Sequence, residues 1–148
     1  MIFYKERVMT ELELVSLAKE AAKNAYVPYS HHTVGAALLS KSGKVYLGCN
    51  IENAAYSPTN CAERTAFFKA VSEGEREFEA IAVVGGYELD FADYFAPCGV
   101  CRQVMAEFCD METFKVIFGK NGDEYRSFTL GEILPFGFSP RDLREPQL

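Results

Sequence analysis

Three cysteines and one glutamate carry the clearest chemistry in the sequence. They occur in Thr59-Asn60-Cys61-Ala62-Glu63 and, downstream, in Pro97-Cys98-Gly99-Val100-Cys101. The second segment has Cys-x-x-Cys spacing, which lets two sulfurs reach one metal from the first turn of a helix. Alone, that spacing fits a redox pair as well as a metal. A third cysteine beside an acid moves the reading strongly toward metal. The first segment reads as a helix start, with Asn60 as cap and Glu63 at the third helical position. Pro97 suits the entry to a second helix. Two helix amino ends would then face one another, and their positive poles favour thiolate, the form that binds zinc. Three protein ligands leave tetrahedral zinc one position short, which is where a catalytic zinc keeps its water. A structural zinc would instead take a fourth ligand, nominally available from His31 or His32.

The surrounding elements follow from local patterns. Thr10 and Glu13 form a capping-box pair, and Leu14, Leu17, Ala18, Ala21, Ala22 and Ala25 continue at helical spacing. Pro28 ends that helix by pushing Val27 out of helical geometry. Val34 to Leu39 and Val45 to Cys49 read as a hairpin around Lys41-Ser42-Gly43-Lys44, and a loop from Asn50 to Tyr56 leads to the first cysteine helix. That helix runs from about Cys61 to Val71, with Gly74 as its stop. Ala80 to Val84 is a third strand, and the second cysteine helix begins near Cys98, carrying Met105, Phe108 and Cys109 inward. Phe114 to Phe118 and Tyr125 to Phe128 are further strands, joined across Asn121-Gly122. Thr129 and Glu132 open a short last helix, and a tail with Pro135, Pro140 and Pro146 lies along the surface or a neighbouring subunit. The order of elements predicts a three-layer α/β/α sandwich around a five-stranded mixed sheet. In such sheets the site lies where helices start beyond strand ends.

Bulk properties narrow the function classes. A chain of 148 residues suits one domain, residues 1–148. The net charge of -6 and the lack of a basic run disfavour a nucleic-acid partner. The amino terminus lacks an apolar signal segment, and no stretch reaches the length of a membrane span. With an odd count of five cysteines, the expected setting is the reducing cytoplasm, not a disulfide framework.

Together these segments resemble the small, homotetrameric cytidine deaminases. The likeness rests on Tyr29-Ser30, Val34-Gly35-Ala36-Ala37-Leu38, Asn50-Ile51-Glu52-Asn53-Ala54, Cys61-Ala62-Glu63-Arg64 and Pro97-Cys98-Gly99-Val100-Cys101-Arg102-Gln103. A three-cysteine version of the general zinc deaminase signature is known. The resemblance implies hydrolysis of cytidine and deoxycytidine to uridine and deoxyuridine, with release of ammonia, in pyrimidine salvage. It assigns one zinc per chain to Cys61, Cys98 and Cys101, and proton transfer to Glu63. Asn50 and Glu52 match the residues that hold the ribose hydroxyls, and Ala54 stands in the same block. Tyr56 and Phe138 match positions that reach a neighbouring subunit's pocket in the tetramer.

Arg64 and Arg102 are candidates for balancing the charge of three thiolates on a divalent ion, Arg64 by likeness the closer contact. One position departs from the pattern: the family usually reads Tyr-Ser-x-Phe-x-Val-Gly-Ala, and this chain has His32 where an aromatic packs beside the pyrimidine. Without the resemblance, Asn50 and Glu52 would read as turn residues, Tyr56 and Phe138 as core or interface aromatics, and Cys49 and Cys109 as small apolar groups. Glu73 to Glu79 reads as a solvated helix end. The competing functions are deamination of a modified cytosine nucleoside of the blasticidin type and, from another class, a non-catalytic zinc-stabilised binding module.

Overall fold

The computed structural model describes residues 2–3 and 9–144. Its sheet has the strand order β1-β3-β2-β4-β5-β6. These strands are β1 (Ile2–Phe3), β2 (His32–Ser40), β3 (Lys44–Cys49), β4 (Phe78–Tyr87), β5 (Lys115–Gly119) and β6 (Tyr125–Thr129). Only β4 and β5 run parallel; every other neighbouring pair is antiparallel. The five expected strands are all present, and the two-residue β1 adds an edge beside β3, with Ile2 opposite Val45. Among the described residues, four α-helices follow the predicted order: α1 (Glu11–Ala22), α2 (Ala62–Ser72), α3 (Gly99–Phe108) and α4 (Leu130–Ile133).

Strand alternation divides the core into two faces. On one, Ala37, Ala80, Ala82, Val84 and Ile117 pack against Leu14, Val15, Ala18 and Ala22 of α1. On the other, Ala36, Leu38, Ile81, Val83 and Val116 meet Ala66, Phe67 and Ala70 of α2 and Cys101 and Met105 of α3. Each face has a glycine where a helix backbone comes close. A Cβ on Gly35 would lie 2.0 Å from the Ala18 carbonyl oxygen, and one on Gly48 would lie 2.3 Å from that of Ala62. Gly48 thereby lets the first turn of α2 press against β3, which fixes the height of Cys61 and Glu63 above the sheet.

The ends of the helices refine several expectations. The Thr10–Glu13 box caps α1, and the Thr129–Glu132 box caps α4. However, α1 ends at Ala22 with Lys23 as C-cap, so Ala25 lies outside it and Pro28 is not what stops it. Asn60 is not the cap of α2. Cys61 occupies that position in extended geometry (φ -75, ψ 156), which makes Ala62 the first helical residue and Glu63 the second. The Asn60 side chain donates to Thr65 Oγ1 instead, at 3.1 Å. Gly74, at φ +99, follows the α2 C-cap as expected. Cys109 is the C-cap of α3, not part of the helix.

Glu75 is not merely solvated: its carboxylate accepts from the Ser40, Ser42 and Tyr46 hydroxyls and ties the α2–β4 turn to the β2–β3 hairpin. The tail forms a 3-10 turn at Pro140–Asp142, while Pro146 lies outside the described residues.

Candidate active site

The two cysteine helices meet as their spacing predicts. Cys98 is the N-cap of α3, and the Cys101 N–H one turn on donates to its sulfur at 3.5 Å. The Cys61 and Cys98 sulfurs are 3.7 Å apart, and all three sulfurs lie within 4.8 Å of one another. Two zinc–thiolate bonds of about 2.3 Å at a tetrahedral angle put sulfurs about 3.8 Å apart, so the triad fits zinc. Neither His31 nor His32 joins the cluster; among the described residues the three cysteines stand without a fourth protein ligand. Both helix amino ends point their positive poles at the sulfurs.

Charge is distributed unevenly over the triad. Cys61 accepts from the Cys101 thiol and from Arg64 Nη2 at 3.2 Å, so its pKa falls well below the ordinary thiol value. Cys101 shifts up because its proton is shared with Cys61 and its side chain is buried. Arg64 is desolvated, but its bonds to the Cys61 and Cys101 sulfurs outweigh that and hold it cationic. Arg102 does not reach a sulfur: its Nε donates to the Pro97 carbonyl at 2.8 Å and its Nη1 to that of Ile133. It braces the Cys98 loop against α4, so of the two arginines it is Arg64 that contacts the sulfurs.

Glu63 is 1% exposed, and its Oε1 has no hydrogen-bond partner. Burial pushes its pKa up to about 7; the Cys61 charge adds to this, against bonds from its own backbone N–H and the Cys101 thiol. A buried carboxylate that keeps its proton near neutrality can both take and return one. It faces a cavity of about 160 Å³ whose wall includes His32, Val34, Asn50, Phe95, Cys61 and Cys98.

A second cavity of about 250 Å³ adjoins the first, sharing Ser30 and Thr59. It is lined further by Tyr29, Glu52, Asn53 and Tyr56. The loop that carries these residues is pinned on both sides: Ile51 and Asn60 exchange backbone bonds at 3.0 Å, and Tyr26 bonds to Asn50 and Glu52. Glu52 Oε1 accepts from the Tyr29 and Ser30 amides at 3.0 and 3.2 Å. The Ser30 hydroxyl and these amides hold its pKa below the usual carboxylate value, so it stays charged. The Asn50 amide bridges the Val34 N–H (2.9 Å) and the His32 carbonyl (2.8 Å), locking β3's end to β2.

Not every predicted residue gathers here. Ala54 is exposed and lines neither cavity. Tyr56 is 74% exposed at the rim of the second cavity, in left-handed backbone geometry (φ 61). Phe138, 56% exposed, lines a separate cleft with Gln103 and Leu143, its carbonyl accepting from Gln103 Nε2. Phe95, which no sequence motif marks, forms part of the first cavity wall. Its only signal is an aromatic three residues ahead of the Cys-x-x-Cys helix cap.

A sulfur triad suited to zinc, beside a buried carboxylate and opening on a cavity, defines a site for metal-assisted hydrolysis. Residues 9–119 match the profile of the cytidine and deoxycytidylate deaminase zinc-binding region. A cytidine deaminase of Sporosarcina psychrophila is 52% identical over 131 residues, covering 88% of this chain and 93% of that protein. The crystal structure of cytidine deaminase from Burkholderia pseudomallei superposes with a TM-score of 0.80 at 47% identity, over 88% of this chain and 100% of that one. A blasticidin-S deaminase of Bacillus cereus is more distant, 32% identical over 133 residues, which are 87% of this chain and 92% of that protein. The chain belongs to the cytidine and deoxycytidylate deaminase family, and its cofactor is zinc.

Proposed function

We propose that this protein is a cytidine deaminase that hydrolyses cytidine and deoxycytidine to uridine and deoxyuridine, releasing ammonia. The observation that carries the proposal is the pair of adjoining cavities. One, walled by Val34 and Phe95 and ending at Glu63 and the sulfurs, suits a flat heterocycle; the other, with the charged Glu52, suits a sugar bearing hydroxyls.

Cys61, Cys98 and Cys101 are the residues that would hold zinc. When bound, zinc supplies the Lewis acidity that makes water a nucleophile near neutral pH. Glu63 Oε1, lacking a protein partner, takes the proton from the attacking water, passes it to pyrimidine N3, and later assists the departing amine. Its pKa of about 7 suits both directions of transfer. Arg64 offsets the thiolate charge, so the metal stays electrophilic. Asn50 and Glu52 orient the ribose, Glu52 through the carboxylate oxygen not occupied by the Tyr29 and Ser30 amides.

The exposed Tyr56 and Phe138 support a homotetramer in which these aromatics reach a neighbouring subunit's pocket. Such an enzyme works in pyrimidine salvage in the cytoplasm. No helix among the described residues is long and apolar enough to cross a membrane. Ultraviolet assays on cytidine, deoxycytidine and blasticidin S test the substrate class. The expected result is turnover of both plain nucleosides at least tenfold faster than the antibiotic; the reverse order would assign the site to the modified nucleoside. Sedimentation of an active monomer would remove the shared site.

A further inference from the structure

Among the described residues, three buried polar side-chain atoms lack a hydrogen-bond partner: His32 Nε2, Glu63 Oε1 and Arg64 Nε. His32 and Glu63 both line the first cavity. Buried polar atoms are nearly always paired, so two unpaired ones on one cavity mark positions that a ligand must satisfy. Glu63 Oε1 is accounted for by the reaction. His32 Nε2 is not.

The His32 ring is held in place rather than left to find a partner. Its backbone N–H donates to Ser30 Oγ at 3.0 Å, and its carbonyl accepts from Asn50 at 2.8 Å. The ring packs against Phe95 with centroids 5.5 Å apart and planes tilted by 38°. Phe95 in turn rests on the bare backbone of Gly85, where a Cβ would come within 2.6 Å of the ring. A column of Gly85, Phe95 and His32 therefore sets one wall of the cavity, with a single polar atom on it that no protein group engages.

We propose that His32 Nε2 hydrogen-bonds a polar atom of the bound pyrimidine, and that Phe95 is the residue that positions the imidazole for it. This wall recognises a heteroatom of the base, where a phenyl ring would offer only a face. The inference rests on the nucleoside reading of the same cavity, and it adds a specificity-determining contact to it.

The test compares wild type with His32→Phe, which keeps an aromatic ring and removes the nitrogen, and with Phe95→Leu, which leaves the nitrogen and loosens its support. Steady-state kinetics on cytidine are read with uridine binding by calorimetry and the thermal midpoint. For His32→Phe the expected result is a KM for cytidine and a Kd for uridine each raised about 2- to 10-fold, the range for one neutral hydrogen bond, with kcat within about twofold and the midpoint unchanged. Phe95→Leu is expected to raise KM in the same sense, and combining it with His32→Phe to raise KM less than the product of the single effects, since both act through one contact. A KM and Kd unchanged or lowered in His32→Phe, with wild type active on cytidine, overturns this inference alone. A wild type that turns over no cytosine nucleoside overturns the functional reading and this inference with it.

Discussion

The two faces of the sheet are built from the same strands and do different work. The α1 face is filled by Leu14, Val15, alanines and short β-branched side chains, and among the described residues none of its buried polar side-chain atoms lacks a partner. The α2/α3 face carries the sulfurs and the three unpaired buried side-chain atoms found among the described residues, on His32, Glu63 and Arg64. Alternation along β2 and β4 separates the two: Ala37 and Ala82 look one way, Leu38, Val83 and the His32 wall the other. Both faces bury apolar side chains, the second with Phe67, Phe114 and Met105 among them, and that second face also holds polar groups that are costly to bury without partners. On that face Glu63 is buried with its Oε1 unpaired.

Substitutions should divide along this line. The largest effect is expected at Glu63: Glu63→Gln keeps the shape of the side chain and removes the proton carrier, so kcat on cytidine should fall by about 10²- to 10⁴-fold while the thermal midpoint of the zinc-loaded protein holds. A variant that keeps kcat within a few-fold would break the distinction at its centre. On the other face, Leu14→Ala empties a fully buried position and should cost about 2–5 kcal/mol in urea unfolding, with KM unchanged. A change in KM without loss of stability would show that the α1 face reaches the site.

The acid–base behaviour of the zinc-free protein sharpens the contrast. Glu63 is raised from 4.5 to about 7 in the folded chain, so between those values the native state holds a proton that the unfolded chain has released. That contribution is fully present below pH 4.5 and is lost as pH rises through 7, a swing of about 3 kcal/mol. Unfolding midpoints between these limits should fall more steeply for wild type than for Glu63→Gln, which isolates this group from the opposing titration of Cys61. Equal slopes would mean that Glu63 is solvated. The smallest effect is expected from Arg64→Gln, which should weaken zinc binding about 10- to 100-fold, read by competition with a chelating dye. Unchanged affinity and rate would remove the charge-balancing role.

Much of this arrangement is legible in the sequence, for reasons that differ by element. The five main strands and the capping boxes at Thr10 and Thr129 depend on neighbours a few residues away, so local pattern suffices. The sulfur triad is legible because zinc demands ligand types and spacings that few other roles share. Local pattern fails where a distant contact decides. Asn60 has the chemistry of a cap, but its backbone pairs with Ile51 and its side chain with Thr65, and Cys61 takes that position. Arg102 sits next to a ligand in sequence, yet the carbonyls of Pro97 and Ile133 claim its guanidinium. Glu75 reads as surface until the β2–β3 hairpin brings Ser40 and Ser42 to it. Phe95 joins the site only because the β4–α3 loop folds its ring over Gly85.

The most direct measurement is a zinc titration. Protein stripped with a chelator is returned to zinc stepwise, and cytidine absorbance is followed at each step. Turnover should be absent at the start, rise in proportion to added metal, and level off at about one zinc per chain. Full activity in the stripped protein, or a zinc-loaded protein inert toward every cytosine nucleoside, would contradict a hydrolytic site built on Cys61, Cys98, Cys101 and Glu63.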